Sequence, residues 1–300
     1  MLIIFCADPL SPNQVEDGFQ AEYRAAIENG FETALIDFDL LSSTEGIERA
    51  LRRIQPYGDC QKAIYRGWML KPDVYGKMYN ALKVRGVVLV NQPDHYRLGH
   101  YLPEYYPLIR ELTPESIWLE PDDTRELNSL MQRLEIFSGG PVIVKDYVKS
   151  CKHDWYEACY IPDSSSEEDV ARVVDGFLER QGEDLNGNLV FRKYLEFEKI
   201  GIHPVSKLPL SREFRLFIYQ GELAGCFPYW NEVDYDKSQL NLEMFKPVIS
   251  RIPSSFFTLD VALTIDHNWM IVEMGDGQVS GFPNHESVIE FYSWLRSISK

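Results

Sequence analysis

Two carboxylates on neighbouring strand-like runs carry the most obvious chemistry in this sequence. Asp260 lies in Phe256–Ile265 and Glu273 in Trp269–Met274, two apolar runs that flank the turn-forming Asp266-His267-Asn268, the pattern of a β-hairpin. If the loop has an even number of residues, or a bulge restores the parity, the two acids share a face. They then stand about 5 Å apart when directly opposite and about 7 Å when diagonal. Such a pair in an apolar hairpin repels unless a cation or a proton lies between. Hard oxygen ligands in that number suit Mg²⁺, which takes one or two carboxylates together with substrate phosphates. With a plain odd loop the acids face opposite ways, Asp260 as a strand-edge residue and Glu273 as a solvated one.

Basic residues precede the hairpin in a definite order. Val142-Ile143-Val144-Lys145 reads as a strand ending in a lysine, and the polar loop after it, Asp146–Asp154, carries Lys149, Ser150, Lys152 and His153. Phe191-Arg192-Lys193-Tyr194-Leu195 is a strand of mixed charge, and Arg215 lies on the strand Glu213–Tyr219, on the face opposite Phe214, Leu216 and Ile218. Together these make a polyanion site with its metal: Lys and Arg neutralise phosphate oxygens while carboxylates hold the bridging Mg²⁺. A charged strand between subdomains also offers backbone groups to an adenine edge. Arg66, in Tyr65-Arg66-Gly67-Trp68, closes another strand, and ligands gather beyond the carboxyl ends of strands in open α/β sheets. It is either aimed at a substrate carboxylate or phosphate, or paired at the surface with one of the many acids. His95 and His100, among Tyr96, Tyr101, Tyr105 and Tyr106, are given no catalytic role.

The elements that must position these residues follow from pattern. Leu2–Cys6 is a continuous apolar run, Phe19–Glu28 a helix stopped by Asn29-Gly30, and Thr33–Phe38 a strand, which together make a βαβ unit. Ala63–Arg66 and Val87–Val90 are further strands with the Tyr75–Lys83 helix between them, and no GxGxxG follows the first strand. Asp123 and Glu126 resemble a capping signal for a helix through Leu127, Leu130, Met131, Leu134 and Phe137, and Ser138-Gly139-Gly140-Pro141 stops it. Ser165 and Glu168 form a capping box for the next helix, and Gly182 and Asn186-Gly187 break the chain before the strand Leu189–Leu195. Glu196–Pro209 is polar and loops out; Glu213–Tyr219 and Leu223–Tyr229 pair through Gln220-Gly221-Glu222, and Asn284–Ile298 closes the chain as an amphipathic helix. The fold class expected is α/β followed by α+β.

Composition bounds the partners. With 300 residues, 45% hydrophobic and 13% aromatic, the chain can bury a large core, in one or two domains. A net charge of −16 argues against nucleic acid, whose binding rests on neutralising phosphates, though not against a nucleotide pocket. Five scattered cysteines without a CxxC pair fit reduced thiols. The start lacks a basic n-region and no run approaches a membrane span, so a soluble, cytoplasmic protein with no membrane partner is expected.

The order of these motifs resembles the ATP-grasp superfamily across roughly Pro114 to Phe282. Val142–Lys145 is similar to that family's strand ending in an ATP-phosphate lysine, and Arg192-Lys193-Tyr194-Leu195 to its inter-lobe strand, whose backbone meets adenine, with Glu196 or Glu198 near the ribose. Arg215 resembles the catalytic-lobe arginine, with Arg212 the weaker candidate, and Asp260 and Glu273 resemble the metal ligands. Two departures stand out. Tyr147–Lys152 replaces a Gly-rich phosphate loop, so side chains such as Lys149 and Lys152 take the clamp; and Glu273-Met274-Gly275 replaces Glu-x-Asn, so Asp276 supplies the missing metal oxygen.

The resemblance implies a Rossmann-like pre-ATP-grasp domain over residues 1–115 and a two-lobed ATP-grasp domain over 116–300, with a small lobe at 116–190 and a catalytic lobe at 191–300. It implies ATP and Mg²⁺, and a carboxylate–amine ligase acting on small-molecule or peptide substrates, with Arg215 and Arg66 as catalytic residues. A second reading comes from the eukaryotic cell-division-cycle branch of the same superfamily, which Leu189–Leu195 followed by Arg212–Phe217 also resembles. It is an ATP-binding assembly chaperone with little turnover, whose acidic surface suits a basic protein partner.

Overall fold

A computed structural model of the chain describes residues 1–41, 46–205, 207 and 209–299. The strands in the first part are β1 (Leu2–Cys6), β2 (Glu32–Ile36), β3 (Gln61–Arg66) and β4 (Val87–Leu89). Then come β5 (Ser116–Trp118), β6 (Val142–Lys145), β7 (Tyr160–Ile161), β8 (Val190–Lys193), β9 (Lys199–Ile202) and β10 (Pro209–Ser211). The last are β11 (Glu213–Tyr219), β12 (Glu222–Pro228), β13 (Phe256–Leu263) and β14 (Trp269–Asp276). The chain divides into two compact units, one of Met1–Gly99, Ile200–Val261 and Glu273–Lys300, the other of His100–Lys199 and Ala262–Val272.

In the first unit β1 to β4 form a parallel sheet in the order β2-β1-β3-β4. Every residue of β1 is buried, as its unbroken apolar run requires of a strand covered on both faces. Helices Gln20–Glu28 and Pro72–Val84 make the crossovers, the second with Pro72 in its first turn, where a missing N–H costs nothing. A second sheet has the order β12-β11-β13-β14. Its β11–β12 hairpin turns at Gln220 and Gly221, both at positive φ (52° and 81°), the twist that tight hairpins favour. One core joins this sheet to the parallel one: Ile4, Ile64, Tyr75 and Leu82 pack in the same cluster as Phe217, Tyr219, Phe256, Phe291 and Leu295.

The second unit holds an antiparallel sheet, β5-β8-β6-β7, over the helices Leu127–Leu134 and Glu167–Gln181. Three local expectations are corrected. Glu196–Pro209 does not simply loop out; it carries β9 and pairs with β10. The helix at Leu127 has no side-chain cap, because Asp123 instead accepts from Arg133 and from the Glu120 N–H. The cap of the next helix is Ser166, not Ser165, whose hydroxyl is spent on Asp163.

Candidate active site

Asp260 sits in β13, where every residue is buried, and is itself 4% exposed. An ionised carboxylate there needs a charged partner. The adjacent strand β11 supplies it: Arg215 Nε donates to Oδ1 at 2.8 Å and Nη2 to Oδ2 at 2.7 Å, a bidentate fork. Its Nη1 donates to the Gly281 carbonyl at 2.9 Å, and its plane lies 4.9 Å from the Tyr229 ring centre. Burial works to lower the Arg215 pKa, but the charge and hydrogen bonds of Asp260, with smaller contributions from Tyr229 and Glu273, hold it above the ordinary arginine range. The guanidinium therefore stays charged. Glu273, half-buried on β14, acts on this same group.

The tip of that hairpin has an odd loop with an irregular residue. The His267 N–H donates to the Thr264 carbonyl and the Thr264 N–H to the Asn268 carbonyl, both at 2.9 Å, with His267 left-handed at φ 60°. This is the pattern of a tight turn followed by a one-residue bulge.

Asp260 and Glu273 fit Mg²⁺ in hardness and in number. Among the described residues no three His, Cys, Asp or Glu converge, in keeping with an ion that takes one or two carboxylates and completes its shell with phosphate and water.

Asp276 does not join them, which corrects its assignment as a third metal oxygen. It is buried with Oδ2 accepting from Asn91 Nδ2 at 2.5 Å and Oδ1 accepting from the Gln278 N–H at 2.9 Å. Burial pushes its pKa up to about 7, against the lowering effect of these donors and of Arg66. Arg66 is corrected as well. It is 1% exposed, with Nε and Nη2 forked onto Glu22 at 2.7 and 2.9 Å, Nη1 on the Gly277 carbonyl and Nη2 on the Ser280 carbonyl. Its donors are committed inside the protein, so it is a clamp and not a substrate contact. What opens at the carboxyl ends of β1, β2 and β3 is instead a cavity of about 70 Å³ lined by Cys6, Asp8, Glu16, Asp37, Asp39 and Trp68.

In the second unit Lys145 ends β6, 7% exposed, with Nζ donating to the Val148 carbonyl at 3.1 Å. The loop after it is built around Asp146, a residue that sequence reasoning missed. Its Oδ1 accepts the Val148 and Lys149 N–H groups at 2.6 and 2.5 Å, and its Oδ2 accepts the Asn186 N–H and Nδ2 at 3.0 and 3.1 Å. The signal was present as an Asp directly after a strand, the start of an Asx turn. Lys149 and Lys152 are exposed on this loop. Lys152 and Lys145 both act on the Cys159 thiol, which burial nonetheless pushes up to about 12.

Arg192 departs from expectation. On β8, an interior strand, its backbone pairs on both sides with Ser116 and Ile143, while its guanidinium holds Thr113 Oγ1 at 2.6 Å and the Ile271 carbonyl at 3.1 Å. It offers adenine no backbone edge. Lys193, exposed, donates its N–H to the Glu115 carbonyl, and Tyr194 donates its own to the Pro141 carbonyl. The Tyr194 ring meets Tyr160 and Trp155 edge-on, with centroids at 5.1 and 5.8 Å. Leu195 lies past the strand end, half-buried, and Glu198 donates its N–H to the Leu263 carbonyl at 2.7 Å.

Residues 133–295, more than half of the chain, match the sequence profile of an ATP-grasp domain family, the third family of its clade. The chain belongs to this family, and with it to the ATP- and Mg²⁺-dependent ligases of ATP-grasp type. The fold agrees with solved structures at low identity. A RimK domain ATP-grasp protein from Sphaerobacter thermophilus DSM 20745 is 15% identical with a TM-score of 0.60, covering 99% of this chain and 100% of that one. The D-cycloserine synthetase DcsG is 12% identical with a TM-score of 0.62 over the whole of both chains. The ATP-grasp ligase PsnB, complexed with its minimal precursor, is 12% identical with a TM-score of 0.58, covering 99% of this chain and 98% of that one. No curated protein sequence matches significantly. Among the described residues no helix is long and apolar enough to cross a membrane.

Proposed function

We propose that this protein joins a carboxylate to an amine on an amino acid or peptide through an acyl phosphate. The observation that carries the reading is the buried Arg215–Asp260 fork with Glu273 acting on the same guanidinium, on neighbouring strands of one sheet. Asp260 and Glu273 would hold Mg²⁺, and Asp260 also keeps Arg215 charged and oriented. Arg215 offsets negative charge that grows on the transferring phosphoryl group. Lys145 serves as the phosphate lysine, with Lys149 and Lys152 on the loop that Asp146 ties down. Tyr194 and Leu195 serve the adenine edge and Glu198 the ribose. ATP, when bound, supplies the phosphoryl group that activates the substrate carboxylate, and Mg²⁺ neutralises its phosphate oxygens.

The substrate class is supported by two structural neighbours, a D-cycloserine synthetase and a ligase solved with a precursor peptide. We take residues 1–115 as the pre-ATP-grasp part and 116–300 as the ATP-grasp domain. Five free thiols fit a cytoplasmic location.

The test is ADP release by purified protein with MgATP and pools of amino acids and short peptides, expected in wild type and lost in Asp260→Asn. Absence of ADP and phosphate with every pool overturns the ligase reading. ATP binding without turnover, together with recovery of one protein partner, supports the assembly-chaperone reading instead.

A further inference from the structure

Asn91, just past β4 of the parallel sheet, is wholly buried and spends its amide on the hairpin that carries the two acids. Its Oδ1 accepts the Phe256 N–H at 2.9 Å and its Nδ2 donates to the Phe256 carbonyl at 2.6 Å. The same Nδ2 donates to Asp276 Oδ2 at 2.5 Å. Phe256 is the first residue of β13 and Asp276 the last of β14. One side chain thus grips both strands at their open end, four residues before Asp260 and three after Glu273.

The segment beyond is held from the same side. Arg66 binds the Gly277 and Ser280 carbonyls, and Gln278 reaches the Tyr65 N–H with Oε1 and the Tyr75 hydroxyl with Nε2. Arg215 then takes the Gly281 carbonyl. A buried, fully hydrogen-bonded amide is costly to break and holds one geometry.

We infer that Asn91 is a positioning residue for the metal acids: it sets the spacing of Asp260 and Glu273 by pinning the ends of their strands, and so acts on Mg²⁺ through them without touching it. The inference rests on the assignment of Asp260 and Glu273 as Mg²⁺ ligands. Residues behind a ligand set typically change metal affinity by about 10–100-fold.

The test is binding of Mn²⁺, read by electron paramagnetic resonance, to the full chain with a non-hydrolysable ATP analogue. Asn91→Ala, or the milder Asn91→Ser should the alanine variant not fold, is expected to weaken Mn²⁺ at least about 10-fold. Leu82→Ala, a core truncation in the neighbouring Pro72–Val84 helix, destabilises the same unit without touching the hairpin and is expected to leave Mn²⁺ affinity unchanged. Folded Asn91 variants that bind Mn²⁺ as wild type does overturn the inference while the ligase reading stands. Equal weakening in Leu82→Ala also overturns it, since the effect is then one of general stability. If wild type itself takes up no Mn²⁺ with the analogue, the metal assignment falls, and the inference with it.

Discussion

The first unit contains two buried arginine–carboxylate forks of nearly the same geometry and opposite consequence. Arg66 meets Glu22 at 2.7 and 2.9 Å, and Arg215 meets Asp260 at 2.8 and 2.7 Å. In both, burial works against the guanidinium charge and the carboxylate overcomes it. The difference lies in the surroundings. The Arg66 side chain is 1% exposed, with two backbone carbonyls and the Phe282 ring closing over it; that of Arg215 is 18% exposed. An arginine sealed on all sides can only hold structure together, whereas one with residual access can meet a ligand. A guanidinium at a strand end is therefore poor evidence of chemistry until its other donors are accounted for.

The largest effect expected from this contrast is kinetic. Arg215→Met should lower kcat for ADP release on the order of 10⁴-fold, roughly 5 kcal/mol of barrier, in protein that still shows a cooperative melt. If Arg66→Met, once folded, removes turnover to the same extent, the contrast breaks. Next in size, Glu22→Ala leaves Arg66 buried without its partner and should cost about 3–5 kcal/mol in urea unfolding. Turnover per folded molecule should fall far less than in Arg215→Met.

A smaller, pH-dependent effect sharpens the boundary between the two forks. The Asp276 pKa of about 7 lies above the value near 4 expected in the unfolded chain. Its contribution to stability is thus complete below about pH 4 and is lost as the pH rises to about 7, on the order of 1 kcal/mol per unit. Asn91, Gln278, Tyr75, Tyr96 and Arg66 are the groups around it. Wild type should lose unfolding free energy relative to Asp276→Asn between about pH 5 and 7; parallel curves would show that Asp276 is ionised throughout. Smallest of all, His267→Gly relieves a left-handed histidine at the hairpin tip and should raise stability by roughly 0.5 kcal/mol with both forks unaffected, as read from the melting temperature.

Much of this architecture was legible because its signals are local. Leu2–Cys6, Val142–Lys145 and Glu213–Tyr219 have the predicted limits, since continuous or alternating apolar runs declare strands directly. Arg215 and Asp260 were legible as a charged residue and an acid inside apolar strands, an arrangement that demands a partner. Arg66, Asp276 and Arg192 were misread because their roles depend on groups far away in sequence: Glu22 and Gly277, Asn91, and Thr113 with Ile271. Asn91 itself gave no sign, because an asparagine after a short strand reads as an ordinary turn residue. The β9 and β10 strands were hidden in a polar stretch whose pairing has no apolar alternation to announce it.

The common core has a practical outcome for anyone expressing parts of this protein. Phe217, Phe256 and Phe291 lie within the stretch that matches the family, yet they pack in one cluster with Ile4, Ile64 and Leu82 from ahead of it. Excising residues 133–295 would strip away much of that apolar contact and lay aromatic surface open to water. Such a fragment should collect in inclusion bodies, and co-expression of residues 1–99 as a separate chain should return it to the supernatant.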